Sequence, residues 1–392
     1  MARTTLSLLR SVVSAEGGKR SAQELLECVR YIGQRLEESQ PVEMAAGCTV
    51  RRVMHIIRTE YAKAVVVRDE ELAREAEAAA ARASAVADQS EEDQSEGDED
   101  GSDRADSDGR LSLVTSGRMV AAPVSPRSGG AMTPRLEANG GALHHMLEGA
   151  GAAEDATPRL DRTDVSIKSA VLGIITELID DLANLHDQIA ESAPEFISSG
   201  ETIMTLGNSR TVREFLIMAS EKRQIEVIVA ESAPTLAGHQ LAAELAAAGV
   251  STTVITDSAV FAMMATVSKV IVPAHAVMAN GGIIGLTGCN SLALAAKRYS
   301  VPFVVVTGFH KLVPHFPHDV DEHNMHHSPE TVLHFEESDI VDAVTVYNPV
   351  FDYVPPDHVD LFVSNFERGV HNPSYIYRLL AEFYSPEDHT LH

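Results

Sequence analysis

The chain has 392 residues, 44% of them hydrophobic, which suffices for one large domain or two ordinary ones. Its formal net charge of −26 excludes the clustered basic surface that displaces counterions from nucleic acid. Three cysteines at unrelated spacings, Cys28, Cys48 and Cys289, exclude a disulfide framework and a cysteine zinc site, and point to a reducing compartment.

The first segment, ARTTLSLLRSVVSA, has the arginines and serines of a transit peptide. Its apolar run is short, however, and it leads through GGKR into the helix SAQELLECVRYIGQRLEE, so a plain N-terminal helix is the expectation. Ser21 can cap that second helix. Val50, Val53, Met54, Ile57, Tyr61 and Ala64 then form one stripe at helical spacing. Residues 1–83 are expected to be a helical domain.

From 84 to 161 the period disappears. Eleven acids and one arginine fall between Asp88 and Gly109, so this stretch alone carries −10 of the net charge. A segment rich in Gly, Ser, Pro and Ala follows, which cannot bury enough surface to offset its chain entropy, and a disordered insertion is expected. Ser125, Thr133 and Thr157 each precede Pro-Arg within it and are candidate phosphorylation sites.

Order returns with Ile167, Val171, Ile174, Leu178, Leu182, Leu185 and Ile189 on one face of a long helix, over 162–198, that completes the helical domain. Beyond it, ETIMT, IEVIVA, TTVIT, KVIVP and PFVVV alternate with helical segments. That alternation implies βαβ units and a parallel sheet. Residues 199–392 are therefore expected to form a Rossmann-like three-layer domain, α/β with a mostly parallel sheet, behind the helical one. Two further short helices are expected around Leu361 and around Tyr375–Phe383. Ligand sites in such sheets lie beyond the carboxyl ends of the strands.

Four features fall in that region. The crossing ANGGIIGLTG, with Asn280, Gly281 and Gly282, brings backbone amides to a helix start, as an anion cradle would, although a tight glycine turn needs no ligand. Asp257 follows TTVIT and is expected to cap the next helix, with a general-base role as the alternative. Cys289 opens a helix after the crossing, where a lowered thiol pKa is expected to be possible. Seven histidines lie between His310 and His334, but three prolines interrupt them and the spacing fits no metal site, so a surface loop is expected there. No apolar stretch is long enough to span a bilayer, and a soluble, cytoplasmic protein is expected.

The segments TVRRVMHIIRTEY, ETIMTLGNSRTVREFL, IEVIVAESAP, GVSTTVITDSAVFAMM, LALAAKRYSVPF, HKLVPHFP and NPVFDYVPPDHVDLFVSN are similar to the regulatory-subunit family of initiation factor 2B, the exchange factor for initiation factor 2. VRRVMHIIRTEY and SYIYRLLAEFYSPED resemble its beta branch. The family fold is shared with the methylthioribose-1-phosphate and ribose-1,5-bisphosphate isomerases, which makes enzyme the rival class. In those enzymes a cysteine and an aspartate move a proton; by resemblance these positions are Gly207 and His275 here, and the loss of each group removes roughly 10²–10⁴ in rate.

The resemblance thus implies a non-catalytic regulatory subunit with no cofactor and no metal. It also implies a vestigial pocket at Asn208, Ser209, Asp257, His275, Asn280, Gly281 and Gly282. The implied partners are the delta, alpha, gamma and epsilon subunits, with exchange carried out by epsilon, and initiation factor 2, chiefly its alpha subunit. No direct nucleic-acid or membrane partner is implied. Pairing with delta would use Thr202, Glu226, Ile228, Thr253 and Ile255; period 2 puts Glu226 with Ile228, and Thr253 with Ile255, on one face of their strands. The stretch Phe366–His371 departs from the family's compact turn.

Overall fold

A computed structural model describes residues 1–17, 21–92, 160, 166–317, 324–336, 343–366 and 369–391. Ser125, Thr133, Thr157 and nearly all of the expected insertion lie outside the described residues. The chain divides into two compact units, Met1–Val65 with Arg159–His392, and Val66–Pro158.

In the first unit, helices α1 (Ala2–Glu16), α2 (Ala22–Ser39), the start of α3 (Met44–Glu92) and α4 (Lys168–Glu191) make a bundle. Ser21 closes a capping box on α2, its Oγ accepting from the Glu24 amide at 3.3 Å and its own amide donating to Glu24 Oε2 at 3.2 Å. The α3 stripe is buried as expected, from Val50 through Tyr61, against Leu9, Leu25 and Val29. α4 serves two cores: Val171, Ile175 and Ile179 face the bundle, whereas Leu185 and Ile189 face the sheet. Helix α3 runs to Glu92, past the boundary expected at 83. In the second unit its exposed surface carries pairs such as Arg68–Glu71 at 3.1 Å, each worth only a few tenths of a kcal/mol, about 0.3–0.5.

The main sheet has seven strands in the order β10-β9-β7-β4-β1-β2-β3. They are β1 (Glu201–Leu206), β2 (Ile225–Ala230), β3 (Ser251–Ile255), β4 (Lys269–Pro273), β7 (Phe303–Val306), β9 (Leu361–Val363) and β10 (Val370–His371). All pairs are parallel except β9–β10. Helices α5 (Arg210–Lys222) and α6 (Ala237–Ala247) cover one face with α4, packing Phe215, Leu216 and Leu241 on Ile203, Val227 and Val229. Helices α7 (Cys289–Tyr299) and α8 (Ile376–Phe383) cover the other, packing Leu292, Ala296 and Leu379 on Val270, Val272 and Phe303. Buried on both faces, the central strands read as continuous β-branched runs.

One expectation is corrected. Leu361 starts a strand, not a helix, because Leu361, Phe362 and Val363 pair with Val304, Val305 and Val306 of β7. The glycine crossing is also structured: β5 (Ala276–Val277), β6 (Ile283–Leu286) and β8 (Phe351–Val354) form a separate antiparallel sheet beside the main one.

The last residues of the chain are held by charge. Asp388 is fully buried; its Oδ1 accepts from Arg30 Nη2 and Arg58 Nη2, each at 3.0 Å, and its Oδ2 from Arg58 Nε at 2.9 Å. Arg51, only 2% exposed, donates to Glu37 at 2.7 Å and to the His389 carbonyl at 3.0 Å, and Leu391 is buried in the bundle core.

Candidate functional site

The carboxyl ends of β1, β2, β3 and β4 bring Gly207, Ser232, Asp257 and His275 to one side of the sheet, as the strand order requires. Gly207 follows β1 with φ +75°, and a Cβ built there would lie 2.3 Å from Leu286 Cδ1. Leu286 thus fills, from the side, the space that a side chain at Gly207 would need. Asn208 and Ser209 are half-buried beside it, and Ser209 precedes α5 without a side-chain cap bond.

Asp257 does accept amide hydrogen bonds, but not from its own helix. Its Oδ1 takes the Ser232 amide at 2.9 Å and its Oδ2 the Ala233 amide at 2.7 Å, so it ties the loop after β2 to the end of β3. The expected N-cap role is corrected: Thr256 holds that position, and both carboxylate oxygens are already bonded to the neighbouring loop.

The His275 ring is tied to the loop before α3. Its Nε2 donates to the Val42 carbonyl at 3.0 Å, and its ring stacks on Phe351 at 4.2 Å. Because a carbonyl can only accept, Nε2 carries the proton. Burial holds the imidazole pKa below its ordinary value, with the Val42 bond and Glu43 opposing that shift, so the neutral ring is favoured. It positions the loop between α2 and α3.

The glycine crossing is closed on itself. The Gly281 amide donates to the Met278 carbonyl at 2.9 Å and the Gly282 amide to Asn280 Oδ1 at 2.9 Å, while Asn280 Nδ2 donates to Tyr353 Oη at 2.7 Å. A Cβ at Gly281 would stand 2.9 Å from the Pro373 carbonyl, and one at Gly282 2.7 Å from Tyr353 Oη. These glycines allow protein to approach protein. At the start of α7 the Asn290 amide donates to Asp352 Oδ2 at 3.0 Å, which places a carboxylate of the chain where an external anion would sit. Cys289 is buried there, and burial together with the Asp352 charge pushes its thiol pKa up, opposite to the lowering weighed from its position.

The histidine-rich stretch divides. His310 and His315 are drawn inward, His315 Nε2 donating to the His389 carbonyl at 2.9 Å, whereas His326, His327 and His334 are exposed as a surface loop would have them. Among the described residues no group of His, Cys, Asp and Glu could hold a metal ion.

The strand register unites the five interface candidates. Thr202 pairs with Glu226, Ile228 with Thr253, and Ala230 with Ile255, so Thr202, Glu226, Ile228, Thr253 and Ile255 share one face of β1, β2 and β3. Glu226 and Thr253 are exposed and Thr202 and Ile255 half-buried, but Ile228 is only 5% exposed within the chain's own core. β3 is also the edge strand, with Val254 exposed on its other face. Sequence reading missed Phe261 and Tyr299, exposed side chains with ring centroids 5.3 Å apart, just beyond the end of β3. Their signal was an aromatic residue out of phase with the core in DSAVFAMM and another at the end of α7.

The sequence signature of the initiation factor 2 subunit family matches residues 135–373. Translation initiation factor eIF2B subunit beta of Dictyostelium discoideum is 44% identical over 388 residues, covering 99% of this chain and 91% of that protein. Ribose 1,5-bisphosphate isomerase of Archaeoglobus fulgidus is 31% identical over 221 residues, 55% of this chain and 68% of that one. The fold also matches a solved structure, the tetrameric eIF2B-beta2-delta2 complex from C. thermophilum, with a TM-score of 0.57 at 24% identity, covering 98% of this chain and 88% of that one. Among the described residues no helix is long and apolar enough to cross a membrane.

Proposed function

The chain belongs to the initiation factor 2 subunit family, among its eIF2B beta members, and from that premise we propose that it is a non-catalytic regulatory subunit of the guanine-nucleotide exchange factor for initiation factor 2. It acts in the cytoplasm, pairs with the delta subunit and joins alpha, gamma and epsilon, with nucleotide exchange carried out by epsilon. It helps sense phosphorylation of the initiation factor 2 alpha subunit. The observation that carries this reading is the occupied relay: Gly207 stands against Leu286, His275 is bonded to Val42, and both Asp257 oxygens are engaged. The rival reading, an aldose–ketose isomerase, needs a thiol and a free carboxylate at those places.

The pairing surface is the open half of the sheet face, with Thr202, Glu226, Thr253 and Ile255 reaching the partner and Ile228 supporting them from within. Phe261 and Tyr299 extend this surface as aromatic anchors of the kind that concentrate binding energy. A relative of the same fold is a beta2-delta2 tetramer, which supports this choice of partner.

The test is Thr253→Glu, which sets a second carboxylate beside Glu226 on an exposed strand. A surface change of this kind alters stability by no more than about 0.5 kcal/mol, whereas an unpaired charge in a closed interface costs several kcal/mol. Co-expression with delta should yield at least tenfold less complex than the parent, at an unchanged melting temperature of the free chain. Full recovery of the complex would remove this surface from the proposal.

A further inference from the structure

A cavity of about 220 Å³ lies where the helical bundle meets the carboxyl edge of the sheet, between α1, α3 and α4 on one side and α8 with the segments after β7 and β9 on the other. Gly207, Asp257, His275 and the glycine crossing do not line it, so it is separate from the occupied relay. Its walls are apolar, from Leu178, Leu182 and Leu185 of α4 and from Phe309, Phe366 and Phe383, whose ring centroids are 5.3, 5.8 and 6.1 Å apart.

Three polar groups break that lining. His310 Nδ1 and Asn365 Oδ1 are buried without a hydrogen-bond partner, and atoms left so are few in a native interior. Burial lowers the His310 pKa to about 3, so the ring is neutral and open to a hydrogen bond at physiological pH. The third is Arg52. Its guanidinium lies 3.7 Å from the centroid of the Phe383 ring and, among the described residues, makes no hydrogen bond or ion pair. Asp181 borders the cavity and Glu382 also acts on the Arg52 charge, but both are exposed to solvent, which weakens their opposing field.

A guanidinium with its donors unused, two unsatisfied polar atoms and leucine and phenylalanine walls describe a ligand with an acidic head, an apolar body and one further polar group. We propose that this cavity binds a small organic carboxylate of that kind, with the carboxylate on Arg52 and a hydroxyl or amide on His310 and Asn365. The site stands whether or not the chain pairs with delta.

The probe is 3-(4-hydroxyphenyl)propanoate, titrated into the full-length chain by calorimetry. Its alcohol analogue lacks the charge, and 3-phenylpropanoate lacks the hydroxyl. The proposal expects saturable 1:1 binding of the probe and roughly tenfold weaker binding of each analogue, as loss of one charged or buried hydrogen bond would give. Arg52→Met keeps the stem over Phe383 and should weaken the probe about tenfold or more, while Leu182→Trp fills the cavity and should abolish binding; circular dichroism shows that each variant is folded. Absence of saturable binding, equal affinity for either analogue, or unchanged affinity in folded Arg52→Met would overturn the proposal.

Discussion

Asp388→Ala should destabilise the protein by about 3 kcal/mol and lower its melting temperature by about 5 °C. The carboxylate is completely buried and is the shared partner of Arg30 and Arg58, so truncation leaves two cations facing each other around a void. Both arginines retain some contact with water, at 34% and 21% exposure, and Arg58 keeps Glu387 at 2.7 Å. The cost therefore falls at the lower end of what breaking a buried pair produces. Asp388→Asn keeps the shape and loses the charge, so it should fall between parent and alanine. Thermal unfolding followed by circular dichroism measures all three, and an alanine variant within 1 °C of the parent, on the order of 0.5 kcal/mol, would show that the C-terminal tail contributes little to the bundle.

Placing a thiol at Gly207 and a carboxylate at His275 should not confer isomerase chemistry. Gly207→Cys places a side chain at φ +75°, where a non-glycine residue costs about 1–2 kcal/mol, and it drives the new Cβ against Leu286. His275→Asp removes the bond to Val42 and leaves a carboxyl stacked on Phe351, at roughly another 1–3 kcal/mol. The double variant is therefore expected to be about 3 kcal/mol less stable than the parent and to turn over neither ribose 1,5-bisphosphate nor methylthioribose 1-phosphate. A coupled assay for the ketose product checks the second half. Turnover above background would mean that only the two side chains, and not the surroundings of Gly207, separate this chain from an isomerase.

The parallel strands were legible because strands buried on both faces are written in β-branched runs, and the helices because their apolar stripes keep a 3.6-residue period. What stayed hidden depends on distant partners. Leu361–Val363 is a strand only because β7 offers it an edge. Period 2 gave the facing side of β2 and of β3 separately, but only the register Ile228↔Thr253 puts both on one surface. Asp257 has a capping residue's chemistry, yet its amide donors come from a loop 24 and 25 positions away. Leu286 against Gly207, and Asp388 between Arg30 and Arg58, join residues that nothing in the linear order connects.

The most direct measurement is native mass spectrometry of the chain tagged in its own cell and purified without added subunits. One assembly containing this chain with delta, alpha, gamma and epsilon subunits is expected, with no isomerase activity in the sample. A tagged chain that emerges free of all four and interconverts an aldose phosphate and its ketose would contradict it.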